Sequence, residues 1–163
     1  MGDWKVLIAD DLRGERYMLN NLLSKLRPDI ERVRVANPAQ AKLFFDQNRA
    51  QGSSLCIISD RDMSGPRYDN TDAGIPDLSD PNLSKMLFPD LVAFARAWQD
   101  ETGNDVFIVR RSSDDAYSSV LNELPNWQKN NFDKPFLLAK NEPMQVDYLK
   151  AICAYCDTIF ALR

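Results

Sequence analysis

Four short polar segments in this chain carry the residue types that phosphoryl chemistry needs. Asp10-Asp11 follows the apolar run Val6-Leu7-Ile8-Ala9, and Asp60-Arg61-Asp62 follows Leu55-Cys56-Ile57-Ile58. Arg110-Arg111-Ser112-Ser113 follows Val106-Phe107-Ile108-Val109, and Lys134 stands directly after Asn131-Phe132-Asp133. Carboxylates brought together make a site for a hard divalent cation such as Mg²⁺, which prefers oxygen ligands and keeps several waters. A carboxylate beside that cation can attack phosphorus, while the metal and a lysine neutralise charge on the transferring group. Each segment alone has a plainer reading: an acidic residue after a strand caps the next helix, and Lys-Pro makes a turn. Their common position, each just after an apolar or strand-like run, argues for a single site.

The runs themselves predict the elements that hold these residues. A continuous apolar stretch of about four residues fits a strand buried on both faces. Leu19, Leu22, Leu23 and Leu26 form the stripe of an amphipathic helix, which Arg27-Pro28 ends because the residue before proline leaves the helical region. Val33 and Val35 alternate with arginines, as in a strand nearer the sheet edge. Asn37-Pro38 opens a helix through Leu43-Phe44-Phe45, and Leu91, Phe94, Ala95 and Trp98 mark another, closed by Gly103. Tyr117, Val120, Leu121 and Leu124 predict a further helix, Asn131-Phe132-Asp133 a brief fifth strand, and Val146 to Phe160 the last helix. Right-handed crossovers then give an α/β fold, a doubly wound five-stranded parallel sheet with helices on both faces. In such folds the functional crevice lies beyond the carboxyl ends of the strands, which is where the polar segments fall. The chain, residues 1–163, is expected to be one domain. Residues 64–89, rich in Pro, Gly and Asp, are expected as a long inserted loop between the third strand and the third helix. Loops of that length are usually functional, and partner recognition is the expected role.

Composition narrows the function. Lys and Arg number 20 against 24 Asp and Glu, a net charge of −4, whereas a nucleic-acid binder presents a basic face. No stretch approaches the roughly 20 apolar residues of a membrane span, and the N-terminus lacks a signal-peptide layout, so a cytoplasmic protein is expected. Three cysteines do not make a disulfide framework. Cys153 and Cys156 form a C-x-x-C pair inside a helical apolar pattern, and they are read as core residues rather than a redox pair.

The segment Ala9-Asp10-Asp11-Leu12-Arg13-Gly14-Glu15-Arg16-Tyr17-Met18-Leu19 resembles the acidic-pair opening of response-regulator receiver domains of two-component signalling. Asp60-Arg61-Asp62-Met63 and Lys134-Pro135-Phe136 resemble two further motifs of that family, in the family's order. The resemblance implies a flavodoxin-like strand order, 2-1-3-4-5. It implies Asp60 as phosphoacceptor and Mg²⁺ held by Asp10, Asp11, Asp60 and the backbone carbonyl of Asp62. Lys134 would pair with a phosphoryl oxygen. The family's switch hydroxyl falls on Ser112 when counted back from Lys134, or on Arg110 or Arg111 when counted from the end of the apolar run; Ser112 is preferred. Implied partners are a sensor histidine kinase or phosphotransfer protein, a downstream protein target, and a second copy through the later helices. No enzymatic activity beyond slow self-dephosphorylation is expected.

The chain departs from that pattern most in the insertion at 64–89, and in three further places. Ser64 replaces a proline, Asn131 stands where many members carry an aromatic, and two arginines end the fourth strand. Those arginines have three readings: they hold the acidic site closed, they grip the phosphoryl group, or they are solvated surface cations. The alternatives to a phosphorylated switch are a phosphorylation-independent binding module of the same fold and a haloacid-dehalogenase-type phosphatase. The latter would use Asp60 as nucleophile and Asp62 as acid, but such enzymes place the motif on their first strand.

Overall fold

The structure is a computed structural model that describes residues 4–36, 38–50, 52–60, 88–112, 136–139 and 144–161. The apolar runs are strands: β1 (Trp4–Ala9), β2 (Glu31–Val35), β3 (Ser54–Asp60), β4 (Val106–Ser112) and β5 (Phe136–Ala139). They pair in the order β2-β1-β3-β4-β5, and every pairing is parallel. The helices are α1 (Arg13–Leu26), α2 (Pro38–Gln47), α3 (Phe88–Thr102) and α4 (Met144–Ala161). An α/β fold built on a parallel sheet is what the alternation of runs implies.

Side chains alternate between the two faces of a strand, and this divides the core in two. Val6, Ile8, Cys56, Ile58, Phe107 and Val109 pack against Leu19 and Leu23 of α1 and against Tyr148, Leu149 and Ile152 of α4. Leu7, Ala9, Leu55, Ile57 and Ile108 pack instead against Phe44 and Phe45 of α2 and against Leu91, Ala95 and Trp98 of α3. Helices therefore cover both faces. Each large apolar side chain buried this way contributes roughly 1.5–3 kcal/mol, so the two layers fix the register on which the site depends.

The helix ends follow local chemistry. The Arg27 N–H still donates to Leu23 O at 2.7 Å, and the helix stops there, before Pro28. Gly103 closes α3 with φ 73°, a left-handed conformation that suits glycine. Helix α3 begins at Phe88, so its start overlaps the segment 64–89 by two residues. Pro89 is tolerated there because a helix's first turn has no internal partner for its N–H.

At the amino end of the sheet, Asp157 joins three elements. It accepts from Trp4 Nε1 at 3.0 Å and from Arg27 Nη1 at 2.6 Å. Arg27 also grips Asp29 through Nε at 3.0 Å and Nη2 at 2.8 Å. The start of β1, the end of α1 and the late turns of α4 are thereby clasped together.

One element lies elsewhere than the sequence suggests. The stretch 131–133 is outside the described residues, and β5 follows Lys134-Pro135 instead of preceding it. Phe-Leu-Leu-Ala is the more apolar run, which favours it as the strand. The expected helix over Tyr117–Leu124 and most of the segment 64–89 also lie outside the described residues. Among the described residues, no helix is long and apolar enough to cross a membrane.

Candidate functional site

Asp10 is held more firmly than a surface carboxylate. It follows β1 directly, is 2% exposed, and its N–H donates to Val35 O at 3.2 Å. Its Oδ1 accepts from the Leu12 N–H at 2.9 Å. Leu12, the N-cap of α1, makes no side-chain cap of its own, so Asp10 performs that task from two residues upstream. Arg16, fully buried in the first turns of α1, donates from Nη1 to Asp10 O at 2.8 Å. The helix-capping reading of Asp10 holds for Oδ1, while Oδ2 lies 3.6 Å from Arg111 Nη1.

Asp10, Asp11 and Asp60 offer carboxylate oxygens that all lie within 4.8 Å of one another. Asp10 is buried, whereas Asp11 and Asp60 are half-buried. They converge because Ala9 and Ser59 are register partners across β1 and β3, so the residues that follow them, Asp10 and Asp60, fall side by side. Three negative groups this close repel, and the arrangement needs positive charge nearby. An all-oxygen donor set of this kind fits a hard divalent ion, with water completing its shell.

One positive charge is built in. Arg111 is the register partner of Asp60 across β3 and β4. It shares the face of Phe107 and Val109, and so it points under α1 and α4. Its side chain is 1% exposed and ion-pairs with Glu15 Oε2 at 2.6 Å and Asp10 Oδ2 at 3.6 Å. Its Nε donates to Gln145 Oε1, in the first turn of α4, at 2.9 Å. For Arg111 the surface-cation reading is therefore wrong. Its neighbour Arg110 belongs to the other face and is half-buried.

Ser112 is the last residue of β4, one step beyond the Asp60–Arg111 pair and in register with Ala139. Asp62 and Lys134 lie outside the described residues. Because β5 ends at Ala139, the lysine that directly follows it in the chain is Lys140, while Lys134 precedes the strand. Leu138 pairs with Arg111, so the end of β5 lies at the level of the acidic cluster.

Sequence reasoning missed Glu15, Arg16 and Gln145. The alternation of β4 held a usable signal for Arg111, since it continues the buried positions Phe107 and Val109. Arg16 carried no such signal, because its burial depends on how α1 sits over the loop after β1.

The cysteines behave as core residues. Cys56, Cys153 and Cys156 are unpaired and buried. Burial pushes the Cys153 thiol up to about 12 and the Cys156 thiol well above its ordinary value, which disfavours the thiolate that redox chemistry requires.

No protein-family model matches the sequence, and no curated protein matches it significantly. Solved structures do match the fold. One is the complex of the histidine phosphotransfer signalling protein Ypd1 with the receiver domain of its downstream response regulator Ssk1, from Saccharomyces cerevisiae. Its TM-score is 0.55 at 15% identity, over 95% of this chain and 90% of that chain. The N-terminal domain of an uncharacterized protein from Wolinella succinogenes matches with a TM-score of 0.54 at 14% identity, over 98% of each chain. RcsB from Salmonella enterica serovar Typhimurium, bound to promoter rprA in the presence of phosphomimetic BeF3⁻, matches with a TM-score of 0.51 at 14% identity. That match covers 93% of this chain and 66% of RcsB. At such identities the likeness is one of fold.

Proposed function

We propose, from the premise that this chain has the receiver-domain fold, that it is a phosphoacceptor of two-component signalling modified on Asp60. The observation that carries this reading is the convergence of Asp10, Asp11 and Asp60 oxygens within 4.8 Å at the carboxyl edge of a parallel sheet. Asp60 is the acceptor because it ends β3, the central strand of the described sheet, and is half-open to an incoming group. A carboxylate oxygen of Asp60 attacks phosphorus, the bond from phosphorus to the donor's imidazole nitrogen breaks, and that nitrogen leaves with the electron pair. The donor is a histidine kinase or phosphotransfer protein, and the modified surface then changes its affinity for a downstream protein.

Mg²⁺ held by Asp10, Asp11 and Asp60, with the Asp62 carbonyl as a further ligand, would neutralise the carboxylates and the oxygens of the transferring group. Asp10 stays oriented because Leu12 N–H and Arg16 fix it from two sides. Lys134, which lies outside the described residues, would pair with a phosphoryl oxygen as its Lys-Pro-Phe motif suggests, and Lys140, the lysine that follows β5 in the chain, is the alternative. Ser112 supplies the switch hydroxyl.

The test is incubation with Mg²⁺ and a small phosphodonor, read by intact mass. One phosphoryl group is expected on the native chain and none on Asp60→Asn. No modification under conditions that modify an ordinary receiver domain favours a second reading, a phosphorylation-independent binding module. Arg111 supports that second reading, since the site already contains a cation.

A further inference from the structure

We propose that Arg111 is an intrinsic cation of the acidic site, which competes with the divalent ion for the carboxylates and carries the outcome to α4 through Gln145. The inference rests on the acidic cluster being a metal site and deepens that reading.

A guanidinium cannot shed its proton inside a protein, and burying it is tolerated only with partners. Arg111 finds them on three elements: Glu15 on α1 at 2.6 Å, Asp10 after β1 at 3.6 Å, and Gln145 on α4 at 2.9 Å. Glu15 is the close ion pair. Asp10 stands farther off, because its carboxylate is shared between Arg111 and the cluster with Asp11 and Asp60. A divalent ion on that cluster places two more positive charges beside a fixed one. Each cation then weakens the other's hold on Asp10, and the coupling is reciprocal.

The same geometry gives the opposite sign for a phosphoryl group. Arg111 Nη2 is buried and donates to none of the described groups. Negative oxygens arriving on Asp60, its register partner, attract that donor, whereas a divalent ion alone repels it toward Glu15 and Gln145. Gln145 is fully buried in the first turn of α4, so its bond to Nε must adjust in either case. Asp10, Glu15 and Gln145 thus connect the site to two helices through one side chain.

The experiment titrates Mg²⁺ into the isotope-labelled whole chain, with and without beryllofluoride, and follows the amides of α4. Arg111→Met should bind Mg²⁺ about tenfold more tightly than the native chain, and Arg111→Lys, which keeps the charge, should stay within about threefold. Arg111→Gln replaces the Met variant if the latter fails to fold. Gln145→Leu should bind Mg²⁺ normally but lose the response of α4. Mg²⁺ alone and Mg²⁺ with beryllofluoride should move the Gln145 side-chain amide in opposite directions. An unchanged or weaker constant in the neutral variants overturns the competition, and α4 shifts that persist in Gln145→Leu overturn the transmission. Binding by neither native nor neutral variants overturns the metal-site reading together with this inference. Normal native binding with an unchanged variant constant overturns this inference alone.

Discussion

Asp60 and Arg111 face each other across adjacent strands, yet the Arg111 guanidinium reaches past its register partner to Glu15, 2.6 Å away, under the first turn of α1. A buried positive charge thus stands beside the strand that carries Asp60, paired to α1.

Replacing Asp60 by Asn should abolish phosphorylation, a fall of at least about a hundredfold in rate, without unfolding the chain. Removing one of three crowded charges relieves repulsion, so stability in low salt without Mg²⁺ should stay level or rise by up to about 1 kcal/mol. Urea melts of the two proteins check this, and a marked loss of stability would mean that Asp60 is a structural residue.

The two candidate lysines give a discriminating pair. Lys134→Ala should slow phosphorylation at least about tenfold, while Lys140→Ala stays within about twofold. The reverse result would mean that the position after β5, and not the Lys-Pro motif, sets the charge at the site.

Asp157→Ala should cost about 1–2 kcal/mol by urea denaturation. The ion pair with Arg27 contributes little of this, because Asp157 is 37% exposed and solvent screens the charge. The larger part comes from the indole N–H of Trp4, which is 3% exposed and would lose its acceptor.

The thiols should be silent in the folded chain. At pH 8 an alkylating reagent should leave Cys56, Cys153 and Cys156 unmodified until urea exposes them. The same burial predicts an alkaline limit. The Cys153 pKa is raised by folding from 9.0 to about 12, so the proton is held by the folded chain after the unfolded chain has released it. That contribution is complete below pH 9.0 and is lost progressively as pH rises toward about 12. Cys153→Ala should flatten that part of the pH–stability curve.

On the acid side the sign reverses. Hydrogen bonds from Arg27 hold the Asp29 carboxyl below its ordinary value, and Lys42 does the same for Asp46. Stability from these pairs is present above the unfolded value of 3.8 and is lost as pH falls through the folded one. Both pairs are exposed, so added salt should reduce the effect. Asp46→Asn should remove its share.

The acidic residues were legible because each follows an apolar run long enough to be a buried strand, and a parallel sheet gathers strand ends at one edge. Arg111 was harder to read. Two consecutive arginines point to opposite faces, and which one is buried depends on the register that packing sets. The place of β5 was obscured because Lys-Pro-Phe is a conspicuous motif, while Phe-Leu-Leu-Ala, the true strand, is only four residues long. Gln145 could not be found from local pattern at all, since its partner lies 34 residues earlier in the chain.

The clasp of Trp4, Arg27 and Asp157 has a practical consequence for reporters. The first strand and the last turns of the last helix meet at the pole remote from the carboxylates. Helix α4 alone separates Gln145 from Asp157 by about 18 Å. A dye attached at Ala161, exposed in the last turn of α4, would sit on that far side and leave the acidic edge undisturbed.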